Sequence, residues 1–168
     1  MKIDYKEVAI TPVDHSLLGI RPEPLGRSVY IYNCSKAKAK QYGSELYEEV
    51  IRRVGVLNGD IKFEICGHKT HSREELMEVY KRSFMGLRLI EHDGLPNTVI
   101  ELGLMGRRTV HNGGLPSGIP YSNVEDVCNS VLREFEKVGE TDHEVARSTL
   151  EHLENSKAWL RRSYWEKT

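Results

Sequence analysis

Long apolar runs, a surplus of charge of one sign and paired cysteines are all missing from this 168-residue sequence. No stretch approaches the roughly 20 apolar residues of a membrane-spanning helix. The 24 lysines and arginines nearly balance the 25 aspartates and glutamates, and a formal charge of −1 offers no footprint for a nucleic-acid backbone or an anionic membrane. We therefore expect no transmembrane segment and no nucleic acid among the partners.

The cysteines are few, and their spacing excludes the usual cysteine-based scaffolds. Cys34, Cys66 and Cys128 are odd in number and far apart, so neither a disulfide framework nor a four-thiolate zinc site is expected. The first ten residues, MKIDYKEVAI, carry charges where a signal peptide needs an apolar stretch. These features favour a reducing compartment and a cytoplasmic location.

The length favours a single domain that can bury its own core. Residues 1–27 hold three of the six prolines and are interpreted as a lead-in segment packed on this domain. Residues 28–168 form the domain itself and end in a predicted crossing helix. That helix carries a cluster of three aromatic residues and one leucine, called the terminal aromatic cluster, whose members are Trp159, Leu160, Tyr164 and Trp165.

Two hydrophobic periods alternate along the domain. Short β-branched and apolar runs predict four strands: Ser28–Cys34, Ile61–Cys66, Met85–Ile90 and Thr109–His111. Apolar residues at helical spacing predict helices between and after them, the first closed by Gly55 and the third covering Thr98–Met105. Ser72 and Ser122, each followed three residues later by Glu, predict capping boxes. The GGLPSGIP stretch, residues 113–120, is predicted to be a loop.

Strands that alternate with helices, at crossovers of this length, indicate a parallel sheet. The predicted fold is α/β, a single Rossmann-like parallel sheet with helices on both faces. In such sheets ligands bind in the crevice at the carboxyl ends of the strands. The loops that follow the strands are therefore the candidate sites.

The loop after the third strand carries the most informative motif, EHDGLPNTVIE, from Glu91 to Glu101. It contains an acid, a glycine turn, a proline near the first helical turn and a second acid inside the next helix. The backbone amides beyond Pro96 are predicted to form an anion site at the helix N-terminus, and a diphosphate is the expected anion in such a fold.

The stretch from Tyr80 to Asn112 resembles the donor-binding segment of GT-B glycosyltransferases, of the retaining family related to glycogen and sucrose synthases. That family has an acid, a Gly-Leu-Pro elbow and a second acid after seven intervening residues. Asp93 and Glu101 hold the acid positions here, with Asp93 where the family usually has Glu. The resemblance implies a carboxyl-terminal GT-B domain of a hexosyltransferase whose donor substrate is a nucleoside diphosphate sugar.

The resemblance also implies roles for individual residues. Asp93 and Glu101 are the predicted catalytic pair, Asp93 bound to a sugar hydroxyl and Glu101 to the ribose hydroxyls. Carboxylates beside a diphosphate repel it, so they are useful there only when they accept hydrogen bonds from neutral hydroxyls. The elbow amides and a basic residue after the first strand would hold the phosphates. The predicted donor-binding residues are Gly94, Leu95, Pro96, Asn97, Thr98, Lys36, Lys38 and Lys40.

Two further expectations concern what the domain works with. In the family a lysine or arginine neutralises the leaving diphosphate in place of a metal, so no cofactor and no metal are expected. A full enzyme of this type has two facing domains, the amino-terminal one holding the acceptor. The chain is therefore expected to need an acceptor-binding domain or a partner subunit.

Other interpretations stay open. The Glu-Leu-Gly run that begins at Glu101 also resembles nucleoside deoxyribosyltransferases, and a non-catalytic sugar-nucleotide-binding module is a third possibility. Glu101 is alternatively a surface acid and Asp93 a helix cap. His111 and the glycines after it form either a loop over the sugar site or an ordinary turn. Zinc would need a fourth ligand beside three closely spaced candidates, which are Cys66, His68 and His71.

Overall fold

The computed structural model of the chain describes residues 17, 19–32, 43–67, 71–90 and 96–162, with residues 156–162 described by their main chain alone. The strands in these residues are β1 (Ser28–Tyr32), β2 (Lys62–Cys66), β3 (Ser83–Leu87), β4 (Arg108–Val110) and β5 (Gly118–Ile119). The helices are α1 (Ser44–Leu57), α2 (Arg73–Arg82), α3 (Asn97–Leu104), α4 (Val124–Phe135) and α5 (His143–Arg162).

The strands form one sheet in the order β2-β1-β3-β4-β5, and every pair of neighbours is parallel. Tyr30 of β1 lies opposite Glu64 of β2 on one side and opposite Gly86 of β3 on the other. The predicted α/β fold with a single parallel sheet is confirmed.

The helices cover both faces of the sheet because alternate strand residues point to opposite sides. Val29 and Ile31 of β1 pack in the core formed with α1 and α4. Tyr30, between them in sequence, packs on the other face with residues of α2 and α3. α5 lies outside α3, where Leu153 joins an apolar cluster with α3 and Leu17.

Helix starts illustrate how local chemistry sets the element bounds. Ser72 caps α2: its hydroxyl accepts from the Glu75 amide at 3.1 Å, and the Glu75 carboxylate accepts from the Ser72 amide at 3.0 Å. This predicted capping box is confirmed. At α4 the predicted cap, Ser122, is wrong by one residue, because the Asn123 side chain accepts from the Asp126 amide instead. Asn caps as well as Ser does and directly precedes the first helical residue.

Other bounds also differ from the sequence prediction: β3 is Ser83–Leu87 rather than Met85–Ile90, and β4 is Arg108–Val110 rather than Thr109–His111. α1 continues through Gly55 to Leu57, because that glycine keeps a helical backbone on the outside of the helix, with no atom within 4 Å of an added Cβ. The predicted loop at residues 113–120 contains β5, a two-residue strand held to β4 by the Thr109 and His111 amides, which donate to Ser117 and Ile119 carbonyls. Two residues are too few to give a periodic pattern.

The described end of the lead-in segment is bonded to the domain. The Glu23 amide donates to the Met105 carbonyl and the Leu25 amide to the Glu140 carbonyl. An added Cβ at Gly26 would lie 2.0 Å from the Arg82 carbonyl oxygen, so the two main chains touch. Of the predicted terminal aromatic cluster, Trp159 and Leu160 are described by main chain only, and the other two members lie outside the described residues.

In the described part of the chain, none of the helices combines the length and the apolar composition that a membrane crossing requires.

Candidate functional site

The strand order makes the carboxyl ends of β1 and β3 the candidate position of a ligand crevice. Within the sheet, β2 lies to one side of β1, whereas β4 lies on the opposite side of β3. The direction of the strand order therefore reverses between the neighbouring strands β1 and β3. Ligands of open α/β sheets bind outside the carboxyl ends of the strands at such a reversal. Tyr32 and Leu87, the last residues of β1 and β3, mark this edge of the sheet.

Several of the predicted site residues lie outside the described part of the chain. They are Lys36, Lys38, Lys40, Asp93, Gly94 and Leu95. The described residues that flank them are Tyr32 before the lysines, and Ile90 and Pro96 around the acid and the elbow. Pro96, Asn97, Thr98 and Glu101 are described, and all four belong to the start of α3.

The N-terminus of α3 begins at the proline of the motif. Pro96 is the N-cap residue, with extended dihedral angles of φ −74° and ψ 127°, and no described side chain caps this end. Its carbonyl accepts from the Val99 and Ile100 amides, which are the first donors within the helix. The amides of Asn97 and Thr98 precede these bonds, and free amides at a helix start attract anions.

Glu101 is not a surface acid. It lies just over one turn into α3, and only 6% of it is exposed. The Tyr80 hydroxyl donates to its Oε2 at 3.1 Å, and Nη1 of Arg73 lies 3.1 Å from its Oε1. We call these three residues the Glu101 cluster. The hydrogen bond from Tyr80 and the ion pair with Arg73 together hold the carboxylate in a defined orientation.

Both partners of Glu101 in the Glu101 cluster, Arg73 and Tyr80, lie on α2. Arg73 is the first residue of the helix and Tyr80 is seven residues later, so two turns place them on the same side. Burial, with the neighbouring Tyr30 and the Glu101 carboxylate, raises the pKa of Tyr80 above its usual value. The hydroxyl therefore stays protonated and acts as a donor. The ring of Tyr30 supports it edge-on, with 5.1 Å between the ring centroids.

A positive charge that sequence reasoning missed lies at the edge of the crevice. Arg88 follows β3, and its guanidinium carbon is 4.7 Å from the ring centroid of Tyr32, at the end of β1. This stacking joins the carboxyl ends of the two strands at the crevice. The signal that could have identified it is the position of an arginine inside the apolar run MGLRLI.

The remaining candidates are Cys66, His68, His71 and His111. Cys66 is buried at the end of β2, and His71 lies 3.7 Å from Glu75, whereas His68 is outside the described residues. No cluster of three metal-ligating side chains occurs among the residues that are described. His111 is buried under its own turn, since a Cβ on Gly113 would lie 2.0 Å from Nε2 of that histidine.

Comparison with known proteins does not assign this site, since no protein-family model matches the chain and the search of curated proteins found no match.

Proposed function

We propose that this chain binds a nucleoside diphosphate sugar as the donor-binding domain of a GT-B-type hexosyltransferase that retains configuration. The observation that carries the proposal is Glu101, a buried carboxylate near the start of α3 that is held by a hydrogen bond from Tyr80 and an ion pair with Arg73. Its helix, α3, follows β3, one of the two strands at the reversal of strand order, and α/β sheets bind nucleotides at such reversals. An acceptor-binding domain or a partner subunit completes the enzyme.

Charge determines which residues bind which part of the nucleoside diphosphate sugar. The helix amides of Asn97 and Thr98 and the guanidinium of Arg88 offer positive potential to the diphosphate. Glu101 accepts hydrogen bonds from the ribose hydroxyls, which carry no charge to repel it. Asp93 and the three lysines Lys36, Lys38 and Lys40 keep the roles that the family resemblance gives them, at the sugar and the phosphates.

Sugar transfer requires two things of such a protein. The bond from the anomeric carbon to the diphosphate oxygen breaks, so the negative charge that develops on the leaving group must be stabilised. An acceptor hydroxyl must also be held beside the same carbon, where its oxygen forms the new bond and its proton passes to the departing diphosphate. The residues of this domain serve the first requirement, and the second falls to the acceptor-binding partner.

Glu101→Gln is expected to weaken nucleotide binding by a few-fold to about tenfold, because a charged acceptor bonds a hydroxyl more strongly than an amide does. Isothermal titration calorimetry with a nucleoside, its monophosphate and its diphosphate measures this. The substitution also relieves repulsion on the phosphates, so the loss should be clearest with the nucleoside.

The matched control for that measurement is Glu64→Gln. Glu64 also pairs with an arginine of α2, Arg82, at 2.7 Å, but it lies toward the amino edge of the sheet, where it accepts from Ser28. Its substitution should leave nucleotide affinity unchanged. If Glu101→Gln binds all three ligands as the wild type does, Glu101 has no part in binding. Hydrolysis of deoxynucleosides by the chain would favour the deoxyribosyltransferase alternative instead.

Diphosphate binding is expected to survive removal of divalent metal, because helix amides and cationic side chains supply the positive potential. The affinity for a nucleoside diphosphate in excess EDTA should agree within about twofold with that in millimolar Mg²⁺. A sensor of free metal confirms the chelation. Loss of binding in EDTA would show that a metal ion, rather than amides and cationic side chains, neutralises the phosphates.

A further inference from the structure

We propose that the outer edge of β2 is a self-association surface, on which a second copy of this chain pairs its own β2 in the antiparallel direction and joins the two sheets into one. The inference goes beyond the proposed function and does not depend on it. β1 lies between β2 and β3, so this edge is one strand away from the candidate ligand crevice. Nucleotide binding and self-association can therefore be tested separately.

β2 has the features of a strand that can pair further. It is the last strand on its side of the sheet, and within the ranges that the structure describes no strand pairs with its outer edge. Its sequence, KFEIC, contains neither proline nor glycine, and all five residues pair with β1 without a bulge. Ile65 is 46% exposed. An edge strand with unpaired main-chain groups and an exposed isoleucine is a template for another strand.

Symmetry limits how β2 can pair with itself. In an antiparallel pair, two residues that lie opposite each other either both exchange main-chain hydrogen bonds or both do not. Adjacent residues of one strand differ in this respect, because their amides point to opposite edges of the strand. The two-fold axis between two copies of β2 must therefore pass beside one residue rather than between two, and each choice of that residue is one register.

Charge selects one of these registers. Centring the pair on Lys62 or on Glu64 would set like charges directly opposite each other, which destabilises paired strands. Centring it on Ile65 would set Glu64 opposite Cys66, with no charge to meet it. Centring it on Phe63 sets Lys62 of each copy opposite Glu64 of the other, so two opposite-charge pairs form by symmetry. A lysine on an edge strand ordinarily hinders pairing, but in this register it is matched.

Glu64 is suited to its part in these pairs because it is charged and held in place. The Arg82 guanidinium donates to it at 2.7 Å and the Ser28 hydroxyl at 2.9 Å. The hydrogen bond from Arg82 is the main reason why the pKa of Glu64 is lower than usual, so the carboxylate is ionised at neutral pH. Lys62 is exposed, two residues away on the same face of the strand.

The register centred on Phe63 also covers the exposed apolar side chain. It places Ile65 of each copy opposite Ile61 of the other, and the two Phe63 side chains opposite each other. Ile65 lies beside Ile31 of β1, which packs in the core formed with α1 and α4, so these apolar residues share that face of the sheet. The charged pairs lie on the other face.

Sedimentation equilibrium on the full chain measures the association. We expect a species of twice the 19.3 kDa chain mass at about 0.1 mM. Ile65→Lys should raise the Kd of the dimer by about tenfold or more, because it sets a charge opposite an isoleucine. Val56→Lys is the matched control, since Val56 is 79% exposed but belongs to α1. Its Kd should equal that of the wild type.

Exchange of charge tests the register. Lys62→Glu and Glu64→Lys each set like charges opposite each other, so each variant alone should raise the Kd by about tenfold or more. An equal mixture of the two restores opposite charges at both positions, and its two components should associate with nearly the wild-type Kd. Urea unfolding midpoints show that each variant is folded. If Glu64→Lys does not fold without its bond to Arg82, the Lys62→Glu and Ile65→Lys variants decide.

Each remaining outcome overturns the inference. A wild-type chain that stays monomeric up to about 1 mM has no such surface. A dimer that Ile65→Lys and Lys62→Glu leave intact, or that Val56→Lys weakens equally, forms elsewhere on the molecule. Two charge variants that dissociate alone and do not associate when mixed would exclude the antiparallel register centred on Phe63. The proposed function is judged by the nucleotide titrations and is unaffected by these results.

Discussion

Replacing Arg107 by methionine is expected to lower the free energy of unfolding by about 3 kcal/mol or more. Arg107 is completely buried, and its guanidinium donates to main-chain carbonyls rather than to an acid. The acceptors are the carbonyls of Tyr80, Ser83, Met105, Glu23, Pro24 and Lys81. They belong to the end of α2, the end of α3 and the lead-in segment, so one side chain joins three parts of the chain.

Two effects of that substitution oppose each other. Burial lowers the pKa of Arg107 to about 10, which leaves it charged at neutral pH at some cost in desolvation, and methionine avoids this cost. The carbonyls remain, however: those of Tyr80, Ser83 and Met105 keep a main-chain donor, and each of the others left buried without a donor costs about 1 to 3 kcal/mol. With this many carbonyls sharing one side chain, the lost hydrogen bonds outweigh the relief.

Urea unfolding followed by circular dichroism measures the difference, with Arg82→Met as the control. Arg82 is exposed and makes an ordinary ion pair with Glu64, so its loss should cost less than about 1 kcal/mol. Arg107→Lys should also be strongly destabilised, because a single ammonium group cannot replace a planar fork of donors. A variant Arg107→Met as stable as Arg82→Met would mean that the carbonyls find other donors.

Arg107 also shows why part of the fold escapes prediction. It stands beside Arg108 in the run GRRTV, and nothing local distinguishes the buried arginine from its half-buried neighbour. Most of its acceptors lie more than 20 residues away in sequence. By contrast, the capping box of Ser72 and Glu75 involves residues three apart, and the sequence predicts it correctly.

The candidate site likewise has one part that the local sequence predicts and another part that depends on contacts between distant residues. Glu101 and the start of α3 follow from the EHDGLPNTVIE motif, because a glycine, a proline and an acid have local meaning at a strand-to-helix turn. The contacts of Glu101 with Tyr80 and Arg73 depend on how α2 packs beside α3, which no local pattern reports. Arg88 over Tyr32 depends likewise on β1 and β3 being neighbours in the sheet.

The burial of α3 explains how Glu101 comes to be enclosed. Every residue of α3 from Val99 to Leu104 is buried, because the sheet lies on one side of the helix and α5 on the other. A glycine allows close packing on each side of α3. On the side of the sheet, an added Cβ on Gly86 of β3 would lie 2.6 Å from Leu102 Cδ1. On the outer side, Gly103 of α3 faces Ser117 and Thr149.

Gly103→Ala is therefore expected to destabilise the protein by about 1 to 2 kcal/mol, although alanine favours helices. The new Cβ would lie 2.6 Å from both Ser117 Oγ and Thr149 Oγ1. These hydroxyls are buried and bonded to the Val99 and Val145 carbonyls, so they cannot turn away without losing those bonds. The overlap is relieved only if α3 moves away from both α5 and Ser117.

The matched control is the same change at Gly55, which is also inside a helix but has no atom within 4 Å of an added Cβ. Gly55→Ala should stabilise the protein by about 0.5 to 1 kcal/mol, because alanine loses less backbone entropy on folding. If the two glycine-to-alanine substitutions change the free energy of unfolding in opposite directions, the difference is due to the close packing around α3. Urea unfolding measures both, and equal gains in stability would show that α3 and α5 accommodate the methyl group freely. If Glu101 binds the nucleotide as proposed, Gly103→Ala should also reduce the affinity of the protein for the nucleotide, because it displaces α3. Gly55→Ala should leave this affinity unchanged.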